Sequence, residues 1–502
     1  MVSFKGLYPQ IIRFTRFGRK SGRRTHTVGS FLENARLPFR AYLMIARVQW
    51  KEEIRLSLVC ANPSAIETDA HRPTAFNILD DVNQSFTGLR LGDRTAFLVG
   101  QKMGDNRKIT ITNSLTPEHR ATRVTGRGPQ ALRLETIAVR AGGEIDADTG
   151  ALSPPLHLST TFEHGPTSEP IHQFRYAREK NPTQVRLEGA LRDLEGGLAA
   201  VVFSSGMAAA AAMLQTLKPG SHVIFSDDIY IDMRNLARDF LPAWGIDSSI
   251  ENLQDMDALA RALRPSTRLI WIETPSNPLM KILDIQSISD IVRRAGALLL
   301  VDNTFASPIL QRPLTLGADI VLHSTTKYCG GHSDVQGGCL VVKSQELLDK
   351  LLNVREILGA VASPFASWLI LRGLRSLPCR MERHSANGNA VATTLAACPA
   401  VEAVYYPGLP SHPGRAVACR QMKSFGGMLS FLVRGGREEA LRVASRVKLF
   451  VNATSLGGVE SLIEHRASNE GKLSCAPQNL LRLSVGLEHP DDLVEDLLQA
   501  LG

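Results

Sequence analysis

Six short apolar runs, none of them alternating, constrain this chain more than any single residue does. They are AAVVF (199–203), HVIF (222–225), LIWIE (269–273), LLLVD (298–302), DIVLH (319–323) and GCLVV (338–342). A half-buried strand repeats every second residue, so four or five apolar residues in a row fit a strand covered on both faces. Separated by stretches of helical composition, such strands spell βαβ crossovers. The expectation is an α/β fold: a large domain with a mostly parallel sheet covered by helices, and ligand chemistry in the loops at the strands' carboxyl ends. After about residue 377 the segments shorten and alternate, as in GGMLSFLV (426–433) and LLRLSVG (480–486), with helical stretches such as REEALRVASRV between them. The organisation expected is a basic, poorly ordered extension over 1–130, an arm and large domain over 131–377, and a smaller C-terminal α/β domain over 378–502.

The net charge of +8 invites a nucleic-acid reading, but 21 of the 57 Lys and Arg and only 10 of the 49 Asp and Glu fall in residues 1–130. The remainder is slightly acidic, so the basic excess belongs to the first quarter. There IIRFTRFGRKSGRR (11–24) packs six basic residues into a dozen positions. Three readings compete for it: a targeting segment, an arm for a polyanion, or upstream sequence brought in by a misassigned start codon, which is favoured because the segment lacks sustained periodicity. GRGPQA (126–131) has Rossmann-like spacing without a βαβ context and carries nothing. The uncharged stretch 196–217 is long enough for a membrane helix. Its central FSSG, and the change from β-branched to alanine-rich residues, predict strand, loop and helix instead, so neither membrane nor nucleic acid is expected as a partner. Seven widely spaced cysteines (Cys60, Cys329, Cys339, Cys379, Cys398, Cys419 and Cys475), with no C-x-x-C pair and an odd total, argue against a disulfide framework or a cysteine zinc site. A reducing, cytoplasmic compartment is the simpler expectation, and no metal is expected.

The chemistry concentrates in HSTTKYCGGHSD (323–334). Hydroxyls at Ser324, Thr325 and Thr326 suit an anion, Gly330 and Gly331 allow close backbone approach, and Lys327 in such company is a candidate nucleophile. If Lys327 held a carbonyl cofactor as a Schiff base, pyridoxal phosphate would require a phosphate cradle, an acid at the ring nitrogen and an aromatic face. SSGM (204–207), between a strand and an alanine-rich helix, offers Ser205 and the backbone N–H groups of Gly206 and Met207 at a helix N-terminus. Ser324 and Thr326 add hydroxyls. Asp302 ends an apolar run, where an unpaired carboxylate is costly; a pyridinium partner accounts for it, and an N-cap does so equally. An ordinary Ser-Gly helix entry explains 204–207 as well.

Eight ordered stretches decide among these readings: GALSPPLHLSTTF (150–162), RYAREKNPT (175–183), SSGMAA (204–209), ETPSNP (273–278), VDNTF (301–305), HSTTKYCGGHSD, SLGGVESL (455–462) and LRLSVGLEHPDDL (481–493). Over residues 133–500 the chain resembles the Cys/Met metabolism family of pyridoxal-phosphate enzymes, the cystathionine γ-synthases, cystathionine β- and γ-lyases, methionine γ-lyase and homoserine-ester sulfhydrylases. The resemblance implies the fold type I architecture of pyridoxal-phosphate-dependent transferases, pyridoxal 5′-phosphate bound to Lys327, and a ring nitrogen facing Asp302. It implies that Tyr230 stacks on the ring and assists proton transfer. Tyr176 and Arg178 would reach the phosphate of a neighbouring subunit's cofactor, in a homotetramer built from dimers with shared sites. Arg482 would clamp the substrate α-carboxylate, helped by Asn277 and Ser455; its planar fork suits a carboxylate.

Three departures from the family pattern touch the substrate pocket. Ile231 and Asp232 follow Tyr230 where glycines are common, Thr454 precedes SLGG where many cystathionine γ-synthases and γ-lyases have glutamate, and RASNEG (466–471) replaces the frequent PAxMTH. The expected function is carbon–sulfur bond chemistry on cystathionine or a related sulfur amino acid, with elimination first and γ-replacement on a homoserine ester as the alternative. A nucleic-acid-binding protein working through the N-terminal arm is the remote reading from another class. GHSDV (331–335) lacks the last glycine of a serine-hydrolase elbow, and no P-loop or H-E-x-x-H occurs.

Overall fold

The computed structural model describes residues 55–57, 88–91, 94–103, 106–112 and 132–502, apart from 144, 147, 472 and 473 within the last span. The chain divides into two compact units, Met1–Gln130 and Ala131–Gly502. In the first, strands β1 (Arg55–Ser57), β2 (Gly88–Leu91), β3 (Arg94–Met103) and β4 (Asn106–Thr112) form an antiparallel sheet in the order β1-β4-β3-β2. The basic cluster at 11–24 and GRGPQA lie outside the described residues.

In the second unit all six apolar runs become strands of one seven-stranded sheet: β5 (Ala199–Phe203), β6 (His222–Ser226), β8 (Thr267–Glu273), β9 (Leu298–Asp302), β10 (Ile320–His323) and β11 (Gly338–Val342). The seventh, β7 (Asp247–Glu251), has no apolar run because it is the partly exposed edge. The order is β5-β11-β10-β9-β8-β6-β7. From β10 to β7 every pair is parallel; β11 runs antiparallel to both β10 and β5. The reversal at β11 follows from the chain between β10 and β11, which holds Lys327 and has no crossover helix, so it returns on the side of the sheet from which it left.

Alternate residues explain the missing alternation. Ile270, Ile272, Val301, Val321 and Val341 pack into one apolar layer, and Phe203, Phe225, Trp271, Leu300 and Leu322 into another. Each fully buried side chain of this kind contributes about 1.5–3 kcal/mol. Helix Pro182–Glu195 covers the first layer through Leu187, Leu191 and Leu194; helix Gly206–Gln215 covers the second through Met213 and Leu214. The first of these follows local rules closely. The Asn181 side chain caps it by accepting from the Thr183 N–H, Pro182 opens it, and Gly196 ends it in a left-handed conformation.

The second sheet of this unit has the order β12-β13-β16-β15-β14, from β12 (Val401–Tyr405), β13 (Met428–Val433), β14 (Val451–Asn452), β15 (Leu462–His465) and β16 (Leu480–Ser484). Helices Leu377–Ala397, Gly436–Arg446 and Pro490–Leu501 pack on it around Phe431, Leu481 and Leu483. No helix among the described residues is long and apolar enough to cross a membrane.

Candidate active site

Lys327 lies in the loop between β10 and β11, whose backbone is tied internally. Its N–H donates to the Ser324 carbonyl at 3.2 Å, and its own carbonyl accepts from Gly331 at 2.8 Å. Thr326 joins the two ends of the loop by donating its hydroxyl to the Gly337 carbonyl and accepting from the Gly337 N–H. The Lys327 Nζ donates to Ser455 Oγ at 2.7 Å. Burial, and then the Arg482 guanidinium, pull this amine down to about 8, so its proton is mobile near neutral pH. Gly457, at φ +75°, brings the 455–458 loop against the lysine. A Cβ there would sit 2.8 Å from the Tyr328 nitrogen, and Ser455 itself holds φ +98°, a strained value for a residue with a side chain.

Gly206 and Met207 open helix Gly206–Gln215, and the Ser205 hydroxyl caps it by accepting from the Ala208 N–H. This end abuts the lysine loop, since a Cβ on Gly206 would lie 2.9 Å from Ser324 Cβ. The helix N-terminus and the Ser324 hydroxyl therefore converge, as an anion requires. Thr326 is placed differently from the other hydroxyls, its oxygen being committed to Gly337.

Asp302 ends β9. Its Oδ1 accepts from the Thr304 N–H at 3.0 Å and from the Thr304 hydroxyl at 2.5 Å; Oδ2 has no partner among the described residues. Asp302 thus turns the chain at Thr304 and does not cap the next helix, which starts at Ser307 with Ala306 as its N-cap, and its second carboxylate oxygen is left free. Beside it in register on β8 is Glu273, buried, and pushed well up by that burial and by Asp302. Glu273 Oε2 accepts from the Tyr230 N–H at 2.9 Å and so fixes the tyrosine at the start of helix Ile231–Asp239. The Tyr230 phenol donates to Asp232 Oδ2 at 2.7 Å. Burial and that contact raise the phenol above its ordinary value, so as placed its proton is committed to Asp232. One of the two residues standing where glycines are common thus holds the hydroxyl.

Arg482, on β16, is buried and donates to Asn277 Oδ1 at 2.9 Å and to the Ser455 carbonyl at 3.0 Å. Burial pulls it down to about 10, still a cation at neutral pH. Across β15–β16 it faces Glu464, to which it also bonds. Glu464 accepts as well from Arg466 Nη1 at 3.1 Å and from Asn469, whose amide also donates to Thr454 Oγ1 at 2.8 Å. Burial pushes Glu464 up, but the two guanidiniums outweigh it and hold the carboxyl below its usual value. Arg466 Nη2 continues the chain to Glu470 Oε1 at 2.6 Å. Lys327, Tyr230, Asp302, Asn277, Ser455, Arg482, Ser324 and the 205–207 turn therefore belong to one neighbourhood.

Tyr176 and Arg178 are directed elsewhere. Arg178 packs over the exposed Tyr176 ring at 5.5 Å and donates to the Glu356 carbonyl at 2.7 Å. Sequence reasoning missed Glu273, Glu464 and Arg466. Glu273 was findable, since it ends its apolar run as Asp302 does; the partner of Arg482 depends on strand register, which the sequence does not display.

The residues present fit a pyridoxal phosphate: a lysine with a lowered proton affinity, a helix N-terminus beside a serine hydroxyl, and a carboxylate oxygen left free. Residues 135–502 match the family model described as "Cys/Met metabolism PLP-dependent enzyme". The chain belongs to that family, and it is a PLP-dependent enzyme. Cystathionine γ-synthase of Mycobacterium tuberculosis is 48% identical over 373 residues, covering 73% of this chain and 96% of the relative. Cystathionine γ-lyase of Bacillus subtilis is 42% identical, covering 74% and 99%. The crystal structure of cystathionine γ-synthase from Xanthomonas oryzae pv. oryzae in complex with cystathionine aligns with a TM-score of 0.72 at 42% identity, over 74% of this chain and 98% of that one. The relatives are trans-sulfuration enzymes, and the fold type I architecture agrees with the parallel core and smaller second sheet.

Proposed function

We propose that this chain cleaves carbon–sulfur bonds of cystathionine or a related sulfur amino acid by elimination, with Lys327 as cofactor anchor and proton carrier. The cofactor, when bound, supplies a sink for the negative charge left by a departing Cα proton. Ser205, Gly206, Met207 and Ser324 would hold its phosphate, with Thr326 bracing the lysine loop beside it through Gly337; Asp302 would meet its ring nitrogen and Tyr230 would cover its face. Arg482, with Asn277 and Ser455, binds the substrate α-carboxylate and fixes the Cα–H bond toward Lys327 Nζ. With the sulfur on Cβ, Lys327 would take that proton and the sulfur would leave as a thiol; with the sulfur on Cγ, Lys327 would also have to take a proton from Cβ before the C–S bond breaks, and in either case water would release a keto acid and ammonia.

The observation that carries this reading is the lysine's setting. Lys327 lies between Ser455 Oγ and the field of Arg482 at about 8, whereas Tyr230 is occupied by Asp232, and Glu464 by two arginines. One proton removal, at Cα, suffices for β-elimination and a further one, at Cβ, is needed for γ-elimination, and this lysine is the base proposed for both. The test is to incubate the protein with cystathionine and identify products: cysteine with 2-oxobutanoate marks γ-cleavage, homocysteine with pyruvate marks β-cleavage, and no keto acid from either overturns elimination. The alternative, γ-replacement on an acetyl- or succinyl-homoserine with cysteine, is favoured by the 48–49% identity to mycobacterial cystathionine γ-synthases against 42–43% to lyases. New cystathionine in that assay would establish it. Lys327→Ala should abolish both the visible band of the bound cofactor and its fixation by borohydride.

We also infer a homotetramer of dimers, in which Tyr176 and Arg178 serve the neighbouring subunit's cofactor. Both are exposed, and Arg178 bonds to the Glu356 carbonyl and not to the other site residues, which supports it. A cytoplasmic location is consistent with six described cysteines that are all free.

A further inference from the structure

Arg482, the proposed clamp for the α-carboxylate, is already engaged. Its Nη2 donates to the Ser455 carbonyl at 3.0 Å and to Glu464 Oε2, and its Nη1 donates to Asn277 Oδ1 at 2.9 Å. A two-bond grip on a carboxylate uses Nη2 together with either Nη1 or Nε. A substrate gripped in this way therefore displaces one of the Nη2 partners, and Glu464 is the one it replaces charge for charge. Glu464 thus competes with the substrate for the clamp. It is also buried, and a buried carboxylate that loses its only cation is costly.

Arg466 is a second cation on the same oxygen. Its Nη1 donates to Glu464 Oε2 at 3.1 Å, and the Asn469 amide holds Oε1. Glu464 therefore keeps a guanidinium and an amide when Arg482 turns away. Arg466 is itself buried and has its own counter-charge, since Nη2 donates to Glu470 Oε1 at 2.6 Å, and Glu470 Oε2 accepts from Ser474 Oγ at 2.6 Å. Arg466, Asn469 and Glu470 all lie in RASNEG (466–471), the segment that departs from the family pattern.

The other cations nearby are committed elsewhere. Lys281 and Arg234 line one pocket with Glu470, but Lys281 pairs with Asp227 at 2.6 Å and Arg234 donates to the Asp227 carbonyl and to Cys475 Sγ. Arg437 donates to Ser468 Oγ at 3.1 Å and is exposed. Arg466 makes no hydrogen bond to Lys327, Tyr230 or Glu273. Its charge is nevertheless felt at all three, where burial is the largest influence.

We propose that Arg466 is a positioning residue that takes over Glu464 from Arg482, so that the substrate α-carboxylate can replace Glu464 on the clamp. This deepens the function proposed above and rests on Arg482 being the clamp.

The test follows the visible band of the full-length protein loaded with pyridoxal 5′-phosphate. Two ligands are titrated: alanine, which carries the α-amine and α-carboxylate but no leaving group, and ethylamine, the same skeleton without the carboxylate. In Arg466→Gln we expect alanine to bind about tenfold more weakly, within the range over which contacting residues couple, and ethylamine to bind as in wild type. Adding Glu464→Gln to that variant should restore much of the alanine affinity, because the competing carboxylate has lost its charge. Unchanged alanine binding in Arg466→Gln, equal weakening of both ligands, or no recovery with Glu464→Gln overturns the proposal. If Arg466→Gln fails to fold because Glu470 is left without its cation, Arg466→Gln with Glu470→Gln removes that pair at no change in net charge. The ratio of alanine to ethylamine affinity then decides in the same way. Arg482→Lys separates the underlying reading: if it leaves that ratio unchanged, the clamp itself is wrong, whereas a ratio that falls there and holds in Arg466→Gln sinks this proposal alone.

Discussion

In the role proposed for Lys327 two opposing demands meet: the side chain must be neutral to attack a carbonyl, yet an ammonium is what lysine ordinarily presents at neutral pH. Burial and Arg482 resolve this by lowering the amine to about 8. The cofactor-free protein should therefore capture pyridoxal phosphate at a rate that climbs with pH and levels off above about 8, because the neutral amine dominates only there. A stopped-flow pH series would show it, and a rate still climbing toward the ordinary lysine value of about 10.4 would contradict it. Glu464 poses the complementary problem, one acid between two buried guanidiniums. Glu464→Gln should destabilise the protein by about 3 kcal/mol in denaturant titration, since two cations lose their counter-charge. Its carboxyl lies below the ordinary value in the folded chain, so its contribution is present above the unfolded glutamate value of about 4.3 and fades as the pH falls through the folded one. Wild type should lose that part of its stability on acidification, and the variant has none of it to lose.

Among the elements, the strands that carry the site were legible because burial on both faces removes polar residues from them. β5, β8, β9 and β11 stand where uninterrupted apolar runs stand. β7 was not legible, since DSSIE is a partly exposed edge whose membership comes from pairing with β6. Nor was the reversal at β11, because direction within a sheet depends on the path of the connecting chain and not on strand composition. The same limit applies to the site. Lys327 and Asp302 stood out through their company in the sequence, and Arg482 only through the resemblance to the family. Glu464 stood out only once β15 was paired with β16, and the Thr454–Asn469 contact joins segments that no local pattern links. Turn geometry gives a test at this scale. Gly457→Ala places a methyl group 2.8 Å from the Tyr328 nitrogen at φ +75° and should cost about 1–3 kcal/mol in stability. Because the same loop carries Ser455, activity should fall by more than the folded fraction does; a melt and an assay on one preparation separate the two.

For the whole molecule, the inferred sharing of sites between subunits makes a genetic prediction. Lys327→Ala and Arg178→Ala should each be nearly inactive alone, whereas subunits unfolded and refolded together should recover activity, because mixed dimers contain one site with both native residues. No recovery on mixing would show that each chain works with its own arginine. At this scale the loop between β10 and β11 has a further consequence. Both of its ends are pinned to neighbouring inner strands of a seven-stranded sheet, and Thr326 bridges them through Gly337. On the proposed role of Lys327, tethering and untethering at Nζ is then left to the four methylenes of one flexible side chain swinging inside a stationary frame, so repeated turnover asks for no remodelling of the chain that holds it.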